Sequence, residues 1–81
     1  MILSVITPTT STEHAIAWLE LSTPTGTFTV YSGHAPTIVP ITPLSQLIFK
    51  LKTGKQQTIT VQQGVAHITR EKIEALVTPV E

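Results

Sequence analysis

Three histidines (His14, His34 and His67) and five glutamates (Glu13, Glu20, Glu71, Glu74 and Glu81), with no aspartate and no cysteine, are the side chains from which a reactive or metal-holding centre would have to be built. A zinc site needs several donors at short, regular spacing, and these histidines are dispersed with no carboxylate cluster beside them. An acid–base carboxylate pair would have to be drawn from glutamates that read as solvated strand faces and turns. The serines lie in no Gly-x-Ser-x-Gly elbow and have no aspartate to complete a triad. Gly26, Gly33, Gly54 and Gly64 are too far apart to cradle a phosphate. No catalytic residue, metal, cofactor or small-molecule ligand is therefore expected.

What must position any functional residue is a chain of 81 residues, 41% hydrophobic and 12% charged, with five basic residues balancing five acidic ones. That length allows one domain, which buries only roughly 60–65% of the surface its unfolded chain exposes, so its core is marginal and docking onto a partner adds stability. Nucleic-acid binders need clustered Lys and Arg, and here these are few and scattered, which excludes nucleic acid as a partner. Direct binding to an anionic membrane surface is disfavoured for the same reason. Met1–Ile6 is apolar, but no basic stretch precedes it and Pro8 follows, so it does not read as a signal peptide. No apolar run approaches the ~20 residues that span a bilayer. The absence of cysteine excludes thiol catalysis and a disulfide scaffold.

Apolar residues alternate with threonine, serine and charged residues in short stretches, which is strand chemistry. The pattern predicts strands at Ile2–Thr7, Ile16–Ser22, Thr27–Val30, Thr37–Val39, Gln46–Leu51, Gln57–Val61, Val65–Thr69 and Ile73–Thr78. Turns are expected at the polar stretch Thr7–Thr12, at Thr23-Pro24-Thr25-Gly26, at Ser32–Pro36 and at Thr53-Gly54-Lys55, the last closing a hairpin. The C-terminal stretch has two readings. Ile73, Leu76 and Val77 at helical spacing behind Thr69 as a cap suggest a helix, whereas Ile73, Ala75 and Val77 in alternation suggest a strand. Local signals favour the helix slightly.

Two aromatic residues raise a question of exposure. If Leu19 and Leu21 point inward, Trp18 and Glu20 point outward on the same strand, and an exposed Trp marks a contact. The alternative register makes Trp18 part of the core, where a large aromatic is usually found. Tyr31 poses the same choice.

Gly26-Thr27-Phe28-Thr29-Val30-Tyr31-Ser32-Gly33-His34-Ala35-Pro36 resembles the signature of the N-terminal domain of the F-type ATP synthase epsilon subunit, called delta in mitochondria, whose members carry Gly-x-x-Gly-(Ile/Val)-x-x-Gly-His-Ala-Pro. Gly26, Val30, Gly33, His34, Ala35 and Pro36 match in register. Leu19-x-Leu21-x-x-Pro24 upstream, Ile41-x-Pro43 after the motif, and Val61-x-x-Gly64-Val65-x-x-Ile68 with Ile73-x-x-Leu76 downstream fit the flanks, so the resemblance covers nearly all of the chain. By that resemblance the fold is an all-β, flattened antiparallel β-sandwich of about ten short strands. Its closing element is a hairpin turning at Arg70-Glu71-Lys72, which overrides the helical reading of the C-terminal stretch.

The resemblance implies a non-catalytic rotor subunit that links the gamma subunit to the membrane c-ring, lying peripherally at the cytoplasmic face of the bacterial inner membrane and held there through other subunits. Trp18, Thr27, Tyr31, Gly33, His34, Ala35 and Pro36 are the subunit-contact candidates. The physical reading of the loop stands beside this, because Gly33 permits a sharp turn and Pro36 restricts Ala35, so His34 either stiffens the turn through a neighbouring carbonyl or meets a partner directly. Thr29 stands in place of the second family Gly and suggests ordinary strand backbone. Thr27 stands where many members have an acidic residue, Leu44 where a Gly commonly follows Pro43, and Gln63 where the first of two glycines is usual. Family members continue into a C-terminal helical hairpin, and the chain ending at Glu81 is expected to lack it. A stand-alone β-sandwich interaction module, binding through an exposed sheet edge, is the alternative function.

Overall fold

A computed structural model describes residues 1–79 of the chain. Glu81, one of the glutamates considered above, lies outside the described residues. Seven strands follow one another along the chain, β1 (Ile2–Ile6), β2 (Ser11–Thr23), β3 (Gly26–Tyr31), β4 (Thr37–Ile41), β5 (Ser45–Leu51), β6 (Gln56–Ile68) and β7 (Lys72–Pro79). The C-terminal stretch is strand β7, as the resemblance implies and against the local helical signal.

Seven strands stand where the resemblance implies about ten short ones. The reason is the length of β2 and β6, each 13 residues. β6 joins the expected strands Gln57–Val61 and Val65–Thr69, which periodicity divides, and ends at Ile68, because the ladder slips between Val61 and Gln63 without breaking. β2 begins at Ser11, inside the stretch expected to be a loop. That loop contracts to Thr7–Thr10, whose closure uses hydroxyls: Thr7 Oγ1 accepts the Thr10 N–H at 2.9 Å and lies 2.7 Å from Thr10 Oγ1.

The two long strands serve both layers of the sandwich. The first half of β2 pairs with β1, and its second half pairs with β5 and β3. The first half of β6 pairs with β5, and its second half with β7 and β4. The ladder β1-β7-β6-β5-β2 returns to β1 through the β1–β2 pairing, so it closes on itself and, among the described residues, leaves only β3 and β4 at edges. Closure abolishes most of the open strand edge that a small sheet protein would otherwise carry. The β1–β7 pairing is parallel, a departure from the all-antiparallel expectation.

Alternation fills the interior as period two requires. Leu3, Leu19, Leu21, Val30, Leu47, Phe49, Val61, Ala66, Ile68, Ile73, Ala75 and Val77 are buried in one cluster. The His14 ring lies 5.2 Å from that of Phe49, which makes His14 a partner of the core. At Gly64 the backbone of β6 passes close to β7, and a Cβ there would stand 2.7 Å from the Leu76 carbonyl oxygen and 2.8 Å from Val77 Cγ1. Buried Ser4 donates to Glu13 Oε2 at 3.2 Å, and Glu13 in turn meets Lys72 Nζ at 3.7 Å, tying β1, β2 and β7 together.

Candidate functional site: an exposed aromatic face and its loop

β2 is the element that decides where Trp18 points. Ile16 pairs with Leu51 and Trp18 with Lys50, so β2 has an extra residue in the ladder at Ala17. A bulge of this kind resets the alternation. Ile16 and Leu19 are both buried, while Ala17 is exposed and Trp18 half-buried outside the core cluster. Leu19 and Leu21 face inward with Trp18 and Glu20 on the outer face, the outward register of the two considered.

Register places Tyr31 directly opposite Trp18, and Tyr31 is 61% exposed. Thr27 and Thr29 lie on the same outer side of β3, opposite Ser22 and Glu20. Thr29 has no positive φ and pairs as ordinary strand, in keeping with its replacing a glycine. On the other flank of β2, Lys50 stands opposite Trp18 and Ile48 opposite Glu20. These two β5 residues join the face without having been singled out. Their outward direction follows from Leu47 and Phe49 pointing inward, but their neighbours are set by a long-range pairing that no local pattern records.

The loop after β3 is held in place by four contacts. The His34 N–H donates to the Tyr31 carbonyl at 3.3 Å, closing a turn with Gly33 at its third position, φ +85°. A type II turn needs a positive φ there, which is what glycine supplies without strain. The Gly33 N–H donates to the Arg70 carbonyl at 3.0 Å, so the loop is pinned to the β6–β7 turn. His34 Nδ1 lies 2.7 Å from the carbonyl oxygen of Ala35, and the His34 ring meets Phe28 edge-on at 5.3 Å. His34 therefore carries the bracing contact with a neighbouring carbonyl that the sequence suggests, while Ala35 and Pro36 are exposed beside it.

All seven contact candidates thus lie on β2, on β3 or in the loop that follows, with Trp18 and Tyr31 adjacent and Gly33–Pro36 continuing from Tyr31. No group of three or more His, Cys, Asp or Glu side chains among the described residues could hold a metal ion. His67 Nδ1 lies 3.8 Å from Glu74 Oε1 across β6 and β7, both side chains well exposed. No helix of the described residues is long and apolar enough to cross a membrane.

A two-layer, nearly edgeless sandwich with an aromatic pair on its outer face, flanked by Glu20 and Lys50 and set beside a braced loop, defines a small β-sandwich domain. The chain belongs to the family described as ATP synthase, Delta/Epsilon chain, beta-sandwich domain, whose sequence model matches residues 1–81. Compared by sequence with curated proteins, the chain has no match. Among solved structures, a chain of the Euglena gracilis mitochondrial ATP synthase in rotational state 1 is similar with a TM-score of 0.84 and 19% identity, over 93% of this chain and 48% of that one. A chain of the central stalk and c-ring of the Tetrahymena thermophila mitochondrial ATP synthase is similar with a TM-score of 0.80 and 12% identity, over 96% of this chain and 63% of that one. At these identities the likeness is one of fold. The chain spans about half the length of the first of these relatives and under two thirds of the second.

Proposed function

We propose that this chain is a non-catalytic central-stalk subunit of a rotary ATP synthase, linking the gamma subunit to the c-ring so that ion flow through the membrane sector is coupled to ATP synthesis or hydrolysis. Family membership over residues 1–81 is the observation that carries the proposal. The role is mechanical. A closed ladder around a packed core deforms little under load, which suits a part that transmits torque. Its association with the membrane is indirect, through other subunits.

Trp18 and Tyr31, with the Gly33–Pro36 loop and Thr27, form the surface assigned to subunit contact. Aromatic side chains anchor interfaces because they bury large area at low entropic cost, and Trp18 and Tyr31 lie together on a face whose ladder neighbours carry one glutamate and one lysine. Rebuilding the complex with and without this chain tests the reading. Restored ion-coupled ATP turnover on adding the chain is the expected result, and a complex whose coupling is indifferent to it contradicts the assignment.

A further inference from the structure

The two sheet edges of the molecule are guarded differently. Among the described residues β4 pairs only with β6, and it carries Pro40, which has no N–H to offer an incoming strand. Among the described residues β3 pairs only with β2, its register does not slip, and Gly26-Thr27-Phe28-Thr29-Val30-Tyr31 contains no proline, lysine, arginine or glutamate. Proteins blunt free edges with charge, proline or bulges because a bare row of N–H and C=O groups accepts another strand. β3 has none of these devices.

The groups that β3 presents follow from hydrogen bonds on its neighbours. The Ser22 carbonyl accepts the Thr42 N–H at 2.8 Å, so the Ser22 backbone faces away from β3. Its register partner Thr27 therefore faces away from β2, since opposed residues in an antiparallel pair either exchange both bonds or neither. By alternation Gly26, Phe28 and Val30 bond to β2, while Thr27, Thr29 and Tyr31 point their backbone groups to the free edge. The bond from His34 N–H to the Tyr31 carbonyl agrees with this and closes one end of the row. What stays open is the N–H and C=O of Thr27, the same two groups of Thr29 and the N–H of Tyr31.

We propose that β3 is a strand acceptor, and that an extended, uncharged segment of the partner subunit adds to the sheet at Thr27 and Thr29 and ends at the Tyr31 N–H. This rests on the reading of the chain as a central-stalk subunit that docks through this face. Burial of an unpaired charge is costly and β3 offers none to pair, so the incoming segment is uncharged. Its outer side chains run beside Thr27, Thr29 and exposed Tyr31, and its inner ones meet half-buried Phe28. A second copy of the chain fits less well. A two-fold pairing centred on Thr29 would set Thr27 opposite the other copy's Tyr31, whose carbonyl is already taken, and press each His34 turn against a Pro24-Thr25 turn.

Thr29→Pro is the test, because it removes one outward N–H without touching the bonds to β2, where an edge proline is tolerated. The variant is expected to stay folded and to bind purified gamma about tenfold more weakly or worse, as loss of backbone hydrogen bonds at an interface predicts, while Thr29→Val binds as the parent does. Hydrogen exchange on the parent chain gives a second readout that needs no variant to fold: the amides of Thr27, Thr29 and Tyr31 should gain protection in the complex. A folded Thr29→Pro that binds as tightly as the parent, or amides that stay unprotected in the complex, overturns the strand-acceptor proposal alone. A parent chain that does not bind gamma overturns both it and the central-stalk reading, and a dimer that Thr29→Pro abolishes assigns the edge to a second copy instead.

Discussion

Trp18 on β2 and Tyr31 on β3 stand opposite each other on the outer face of the sandwich, although Ile16, two residues before Trp18 on the same strand, is buried in the core. The extra residue at Ala17 makes this possible. Without it, period-two alternation would carry Trp18 inward with Ile16, and the aromatic pair would not exist. A bulge next to a surface patch is a way of re-aiming a side chain, and here it turns the largest side chain of the chain to the outer face.

Trp18→Ala and Tyr31→Ala should each leave the domain folded. A cross-strand aromatic pair contributes up to about 1 kcal/mol, so a modest fall in melting temperature is expected for either variant. Binding to gamma should fall about tenfold or more for Trp18→Ala, as for a central aromatic anchor. Thermal unfolding and a binding isotherm on the same sample separate the two effects. Loss of the folding transition in Trp18→Ala would place Trp18 among the residues that hold the core.

His34→Ala removes both the contact of Nδ1 with the Ala35 carbonyl and the edge-on packing against Phe28. Together these are worth about 1 kcal/mol. For a domain of this size that corresponds to a fall of roughly 4–8 °C in melting temperature. An unchanged melting temperature with lost partner binding would mean that His34 serves the interface and not the loop.

Leu44 has φ +56° and is 73% exposed, so a branched side chain occupies a left-handed conformation with little burial in return. Family members commonly place glycine there. The left-handed region costs an L-residue about 1–2 kcal/mol, part of which glycine returns through its larger unfolded-state entropy. Leu44→Gly is therefore expected to be stabilising by about 0.5 kcal/mol, and Leu44→Val, β-branched at positive φ, destabilising. Chemical denaturation of the three proteins checks the order.

Gly64→Ala should be the most damaging of these changes despite adding one methyl group. The new Cβ would meet the Leu76 carbonyl and Val77 Cγ1, and the first of these is backbone held in the β6–β7 ladder. Overpacking of this kind costs about 1–3 kcal/mol. A loss of under about 0.5 kcal/mol on denaturation would show that the two strands part more easily than their pairing suggests.

Much of the architecture is legible in short-range pattern. Leu19 and Leu21 inward, the turn at Pro24–Thr25, the hairpin before Gln56 and the turn at Gly33 all follow from alternation and from residues that fit particular turns. What escapes is set by distant parts of the chain. The parallel contact of β1 with β7 joins the two ends of the chain, and the closed ladder depends on it. The continuity of β6 through its slip at Gln62 is likewise invisible to a window that sees only local periodicity. For the candidate site, the motif locates the loop and the alternation locates Trp18, but Tyr31 as its partner and Lys50 as its flank come only from strand pairing. The local helical signal around Ile73 loses because β7 finds ladder partners on both sides, in β1 and β6.

Titration of purified gamma with the chain is the measurement that tests whether this domain docks on gamma. Saturable one-to-one binding that Trp18→Ala weakens without unfolding the chain is the expected result. Absence of binding at micromolar concentrations, with the chain folded, would contradict it.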